Sequence, residues 1–403
     1  MATVEVLERS RQVPSLEELF DRTRALVPGI KGRVEETYRL RDLPPETFAE
    51  MEAAGLFRVY QPARWGGYEH LPTTAFGIQN ILAEVCPSTS WVYGVLAIQS
   101  FGIGCFNEQA QIDVWGNDPD ALACQATAPT GTAEKVEGGY RLKGRWSFAS
   151  GCTFAKWGIL GARIVNAPPS DGPPMLNVFL TPREAWRTID VWHAIGLQGT
   201  GSNDLVVEDW FIPDHRRIQL GAGLQNTTIA ERPGPALYRF PWFYPYSSTV
   251  SNFAAGITRG AVREFVEIVR NRVAPLTGKV AREDPAAQQV IARAYAAAEE
   301  TEMLYQRHIA TLADYVARDK VIPMDVALLQ RTQITLQVRK LTDIVDEMMM
   351  LQGSRATFQS SPVTRMFLDL LAARTHIGND PTTSLTMLGN LLITGQQADR
   401  NAL

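Results

Sequence analysis

The sequence predicts an α+β fold in three parts: a helical domain over residues 1–120, a β domain over 121–232 and a helical bundle over 233–403. Three observations predict it. Apolar residues recur at helical spacing in the first third, and alternation with period two replaces that spacing from Gly139. Beyond Pro285 helical spacing returns, in segments long enough to pack as an antiparallel bundle. At 403 residues the chain is also long for a single core and fits two or three domains.

The elements follow in order. Ser15 is placed to cap a helix from there to Val27, because a Ser side chain can accept from the first free N–H groups. A second helix is expected over Pro45–Tyr60, with Gly55 near its end, followed by the loop chemistry of QPARWGGYEH. The long apolar stretch from Thr73 to Phe106 predicts one or two buried helices. In GYRLKGRWSF the alternation puts Tyr140, Leu142, Gly144, Trp146 and Phe148 on one face of a half-buried strand, with Arg141, Lys143, Arg145 and Ser147 on the other. WGILGARIV and MLNVFLTP predict two more strands joined by the turn NAPPSDGPP, and DLVVEDWFIP a further one. The last third predicts helices over Pro285–Lys320, Asp325–Leu351, Pro362 into the 370s, and Pro381–Ile393. The near-heptad stripe from Val290 to Leu312 suggests helix pairing between copies of the chain, in a tetramer or a dimer.

Composition excludes several functions. Hydrophobic residues make up 45%, charged residues 20%, and the net charge is -4, so there is no basic footprint for nucleic acid. No apolar run is long enough to span a bilayer, and MATVEVLERSRQ has no signal-peptide core, so a cytoplasmic protein is expected. Cys86, Cys105, Cys124 and Cys152 lack metal-clip spacing and are expected as buried thiols. The five histidines form no HxH or HxxxH pair, so no metal site is expected. There is no P-loop, no GxSxG elbow, and no GxGxxG between a strand and a helix. The clusters GLQGTGSND and GAGLQN have the wrong spacing, which leaves the chain without the usual site for its own NAD(P)H.

Six motifs in order resemble the acyl-CoA dehydrogenase fold: MEAAGLFRVYQPARWGG, ATAPTG, LKGRWSFASG, GTGSNDLVVEDWFIP, VRNRVAPLTGK and LQGSRATFQSSPVTRMFLD. That resemblance implies a central β-barrel-like domain and a C-terminal four-helix bundle. The catalytic glutamate of many dehydrogenases is missing: no Glu occurs from residue 348 onward, and His376 stands near the expected place in LDLLAARTHIGNDPTT. WSFASG, HIGND and ALYRFPWFYPYSSTVSNFAAGITRGAV together resemble the two-component (group D) flavin-dependent monooxygenases. Members take reduced FMN or FAD from a separate flavin reductase, form a C4a-hydroperoxyflavin with O2, and pass one oxygen to a small aromatic substrate. A flavin N-oxygenase acting on an amine or amino sugar, and a dehydrogenase of an acyl thioester, are the alternatives on the same fold.

The resemblance also implies residue roles. Ser150 would contact flavin N5, and His376 would act near the reacting oxygen, with a pKa expected near working pH. Thr127 and Trp146 would flank the flavin ring; Arg270, Arg272 or Arg355 would reach its phosphate, by one route across a subunit interface. Trp91, Phe101, Phe240, Trp242 and Tyr246 would line the substrate pocket. Gln99 stands where phenol hydroxylases of this branch carry a histidine. An amide cannot take up a proton at neutral pH, which points toward a ring that is already electron-rich, such as an indole.

Overall fold

The computed structural model describes residues 13–166, 176–220, 234–273, 278 and 280–395. The turn NAPPSDGPP beyond Asn166, the GAGLQN cluster, most of the APLTGK segment and the expected boundary at 232/233 lie outside these residues.

Six helices come first: α1 (Leu16–Gly32), α2 (Val34–Leu40), α3 (Pro45–Ala53), α4 (Pro72–Ala83), α5 (Pro87–Gly104) and α6 (Glu108–Trp115). Ser15 caps α1 as expected: its Oγ accepts from Glu18 N–H, and the Glu18 carboxylate takes the Ser15 N–H in return. The expected helix over 45–60 stops at Ala53, because Gly55 adopts φ 75°, which an L side chain rarely does, and the chain tightens into a short 3-10 turn. The stretch from Thr73 to Phe106 is two helices, broken at Cys86 before Pro87. α5 is buried along nearly all of its length. That is why its apolar residues show no one-sided pattern.

The centre is one seven-stranded sheet: β1 (Ala123–Val136), β2 (Gly139–Ala149), β3 (Trp157–Ile164), β4 (Leu176–Pro182), β5 (Arg187–Ile189), β6 (Asn203–Pro213) and β7 (Arg217–Leu220). The order β5-β6-β2-β1-β3-β4-β7 is antiparallel except for the β1–β3 pair. The expected barrel does not close among the described residues, because β5 and β7 stay as two edges. Two irregularities lie at one end of neighbouring strands. The β1–β3 register shifts between Ala126 and Gly131, so residues 127–130 leave the ladder. The β2–β6 register shifts between Trp146 and Ala149. There the expected alternation fails: Phe148 takes φ 65° and turns outward, 69% exposed, instead of joining Trp146 inside.

The C-terminal part holds α7 (Phe243–Thr249), α8 (Ala254–Asn271), α9 (Pro285–Ala317), α10 (Met324–Leu351), α11 (Pro362–Arg374) and α12 (Thr382–Thr394). α8 to α11 pack as a four-helix group, and α12 lies on α10. The stripe on α9 is spent inside the chain: Val290, Ala294, Ala297, Ala298, Thr301, Tyr305, Ile309 and Leu312 are all buried. It therefore does not supply the surface between copies that its period suggested. Each large apolar side chain so buried contributes about 1.5–3 kcal/mol. Trp91 of α5 and Leu197 of the loop before β6 both belong to the bundle core, so the functional residues beside them sit where the three parts meet.

Candidate active site

Ser150 follows the β2 bulge, at the turn where the strand ends. Its Oγ accepts from the Trp91 indole N–H at 3.0 Å and lies 2.7 Å from Ser202 Oγ. On another side of Trp91 the His376 ring meets the indole edge-on, with centroids 5.6 Å apart and planes at 72°. Phe253, just before α8, meets the same indole edge-on at 5.5 Å. One tryptophan thus brings together the two residues expected to act on flavin and oxygen.

The turn that carries His376 is held from several directions. The buried Arg331 side chain of α10 donates to the Gly378 carbonyl, and Asn379 Nδ2 donates to Val250 O at 2.9 Å and to Ala373 O at 2.8 Å. Asp380 caps α12 through Thr382 N–H at 3.0 Å. His376 Nδ1 accepts from Gly378 N–H at 2.9 Å, so in the neutral ring the proton resides on Nε2. Burial, then the nearby Arg331 guanidinium, pushes the His376 pKa down to about 4. This corrects the expected pKa near working pH: His376 is a neutral N–H donor, not an imidazolium acid.

The same sign holds for His308, whose pKa burial pushes down to about 4, while burial raises the Asp369 carboxyl to about 6. Between pH 6 and 4 the unfolded chain binds protons at both histidines, whereas the folded chain binds one at Asp369. Acid therefore destabilises the fold, by at most about 1.4 kcal/mol per pH unit for a net difference of one proton. Urea midpoints are expected to fall from pH 6.5 to 4.5, and His308→Gln should flatten that fall. A midpoint independent of pH over this range would contradict it.

Gln99 lies two turns beyond Trp91 on α5, with Val95 between them. It is 1% exposed; its Nε2 donates to Val95 O at 2.9 Å and its Oε1 accepts from Tyr246 OH at 3.0 Å. Tyr246 stacks on Trp242 at 4.9 Å, and Phe101 packs against both. Phe101 is wholly buried within this aromatic cluster and Phe240 is buried in the core, while Tyr246 and Val95 keep some surface.

Thr127 lies half-buried on the β1 bulge and accepts from Gln125 Nε2 at 3.2 Å. Gly161 of β3 lets that bulge lie close, since a Cβ there would stand 1.9 Å from Thr127 O. Trp146 lies on the inner face of β2, as its alternation predicts. It is 0% exposed, donates to Gly161 O at 2.6 Å and covers Gly131.

The three arginines stand apart from this cluster. Phe253 precedes α8 beside Trp91, and Arg270 and Arg272 stand at the other end of that 18-residue helix, roughly 25 Å away by helical rise. Arg270 pairs with Glu267 on the surface, Arg272 donates to Leu351 O at 2.9 Å, and Arg355 is exposed. A concavity of about 540 Å³ lies elsewhere, between α1, α3 and the Arg58–Asp120 pair, and contains none of the candidate residues.

The family model for the acyl-CoA dehydrogenase C-terminal domain matches residues 248–381. The oxygenase subunit HsaA of a flavin-dependent monooxygenase from Rhodococcus jostii (strain RHA1) is 34% identical over 374 residues, covering 92% of this chain and 97% of that protein. The chain belongs to the oxygenase subunits of the flavin-dependent monooxygenases. This oxygenase is also similar to the indole-3-acetate monooxygenase of Pseudomonas putida, at 27% identity over 90% of this chain and 89% of that one. The solved structure of XiaF from Streptomyces sp., in complex with FADH2 and glycerol, superposes with a TM-score of 0.86 at 26% identity, over 95% of this chain and 96% of that one.

Sequence reasoning missed several residues of this oxygenase's site. Ser202 and Thr200 lay in view in GTGSND, where hydroxyls two apart beside glycines mark a turn, but nothing linked them to Ser150. Arg331 gave no signal, because an arginine at a helical polar position is ordinarily solvated. Phe148 was assigned to the wrong face because a bulge leaves no mark in the alternation.

Proposed function

We propose that the chain is the oxygenase component that hydroxylates a small aromatic or heteroaromatic substrate with reduced flavin and O2, using Ser150 toward the flavin and His376 toward the reacting oxygen. One observation carries the residue assignment: Ser150 and His376, far apart in sequence, both contact Trp91 at the junction of sheet and bundle. The residues fit a flavin. Two neighbouring bulges free the backbone of 127–130 and 147–148 from the ladder, and Ser150 keeps an unused lone pair. Reduced flavin, delivered by a separate reductase, supplies the electrons that activate O2. The chain binds and orients it, excludes water and places donors. The buried thiols Cys86, Cys124 and Cys152 suit a reducing, cytoplasmic setting.

Anaerobic mixing with reduced FMN or FAD, followed by O2, tests this. A transient near-UV absorbance after O2, and one oxygen added to substrate, are expected. Reduction of bound oxidised flavin by an acyl thioester would instead support the dehydrogenase alternative.

The acceptor at Gln99 sets the substrate. Tyr246 OH takes one lone pair of its carbonyl and Val95 O one of its amide protons, which leaves one acceptor and one donor to orient an N–H or O–H group but no base to deprotonate a phenol. An indole-like ring needs no deprotonation, and an N-oxygenase would have a more polar wall than Phe101, Trp242 and Tyr246. Gln99→His is expected to raise turnover of simple phenols by about tenfold without improving an indole, about the effect of one added charge-assisted hydrogen bond. A wild type that strongly prefers phenols would remove this inference and leave the oxygenase reading standing.

A homo-oligomer, a tetramer or a dimer, belongs to the same reading. Its support is now the exposed apolar set Leu385, Leu392 and Ile393 on α12, together with Met350 and Phe358. The distance of Arg270, Arg272 and Arg355 from Ser150 fits a role toward a neighbouring copy's flavin. A monomeric mass by sedimentation at micromolar concentration would refute it.

A further inference from the structure

Ser150 heads a row of three buried hydroxyls. Its Oγ is 2.7 Å from Ser202 Oγ, which is 2.6 Å from Thr200 Oγ1, and Thr200 donates to Leu197 O at 2.9 Å. Ser150 is 8% exposed, Ser202 3% and Thr200 0%. Each hydroxyl has one proton and two lone pairs. Proton counting then sets the direction of every bond. The Leu197 carbonyl can only accept, so Thr200 gives its proton there. Ser202 must donate to Thr200, and Ser150 to Ser202. With Trp91 N–H on one of its lone pairs, Ser150 has no proton to offer and one lone pair free.

The far end of the row is fixed. Leu197 holds φ 50°, its N–H donates to the buried Asp369 carboxylate, and that carboxylate also takes the Tyr38 OH at 2.5 Å. The Leu197 carbonyl takes the Trp192 indole N–H as well, at 3.0 Å. Reversing the row would turn Ser150 into a donor but would forfeit the Thr200–Leu197 bond.

We propose that Ser202 and Thr200 are positioning residues that hold Ser150 Oγ as a hydrogen-bond acceptor, so that the site favours reduced flavin, whose N5 bears a hydrogen, over oxidised flavin, whose N5 offers only a lone pair. This rests on the reading of Ser150 as the N5 contact. The row acts through bond polarity and needs no change of shape.

The test is anaerobic titration of the full chain with FMN and with FAD, each oxidised and reduced. Wild type is expected to bind the reduced form at least about tenfold more tightly, which is the scale of one hydrogen bond. Ser202→Ala and Thr200→Val both release the Ser150 proton. Each is expected to tighten oxidised flavin and shrink the ratio about tenfold, read as a bound-flavin two-electron potential about 30 mV lower than that of wild type. Thr200→Ser keeps the row and should keep the ratio. A structural lesion would weaken both redox forms together. If both variants melt like wild type and retain its ratio, the proposal is overturned while the flavin reading stands. If wild type binds both forms equally tightly, the proposal is overturned while flavin binding stands; if it binds neither, the flavin reading itself fails and takes the proposal with it.

Discussion

His376→Ala is expected to lower coupled product formation about 10–100-fold on every substrate, and His376→Gln to restore part of it. The reason lies in the proton inventory of the ring. Gly378 N–H occupies Nδ1, so Nε2 carries the hydrogen, and the pKa near 4 keeps the ring neutral across the working range. A fixed neutral donor at a reacting oxygen contributes about 1–3 kcal/mol, which gives the fold-change above. Gln can present an N–H from a similar position; Ala cannot. The pH profile separates this from general acid catalysis. A histidine acting as imidazolium would impose an inflection near its ordinary pKa of about 6.5. With the pKa held down, the His376-dependent part of the rate stays flat from pH 5 to 8. An inflection in that range that disappears in His376→Gln would show that the ring works charged, and full coupled turnover in His376→Ala would remove it from the reaction. Arg331 gives an independent check. It holds the Gly378 carbonyl and also depresses the His376 pKa, so Arg331→Met should misplace the ring and raise that pKa together.

The helices and strands were legible because their burial is periodic. α1 shows its capping box in the letters S-x-x-E, and α9 shows its stripe over about six turns. The direction in which the α9 stripe would be used was not legible, since a stripe at helical spacing serves a partner helix in the same chain as well as one in another copy. α5 hid its boundary for the opposite reason: a helix buried all round has no period to read, and only Pro87 marks the break. At the site, Ser150 and His376 could be picked out from motifs and Trp91 only as one aromatic expected at the pocket, and their meeting could not be read. It depends on α5 crossing from the sheet to the bundle core, a long-range packing fact. The strand pattern tells inside from outside only where the ladder is regular, so it placed Trp146 correctly and Phe148 wrongly. Two residues later the ladder slips, and Phe148 rather than Trp146 faces out, against Trp192 at 6.2 Å. The non-glycine residues Phe148 and Leu197 both take positive φ beside this cluster. Such strain costs on the order of 1–3 kcal/mol each and collects at functional sites.

Ser150→Ala should release about 10–100-fold more of the activated oxygen as H2O2 per substrate oxidised, with little change in substrate affinity. In the proposed arrangement the hydroxyl faces the flavin, while the substrate wall is made by Tyr246, Gln99 and Trp242 two turns of α5 away. Removing the hydroxyl therefore shortens the useful lifetime of the activated flavin without emptying the pocket. One lost hydrogen bond of about 1–3 kcal/mol corresponds to the stated factor. The same change has a cost in stability that must be separated from it. Trp91 is 7% exposed and its N–H would lose its acceptor, which costs about 1–3 kcal/mol for a buried donor. Ser150→Ala is thus expected to melt at a lower temperature as well as to uncouple. Trp91→Phe removes that donor and keeps Ser150, so it should avoid the unpaired N–H, retain most of the coupling and separate the two effects. Oxygen consumption, H2O2 and product would be measured together at a temperature where all variants are folded. If Ser150→Ala couples as well as wild type, Ser150 has no part in oxygen transfer. If Trp91→Phe uncouples as severely as Ser150→Ala, the indole and not the hydroxyl is the group that protects the activated flavin.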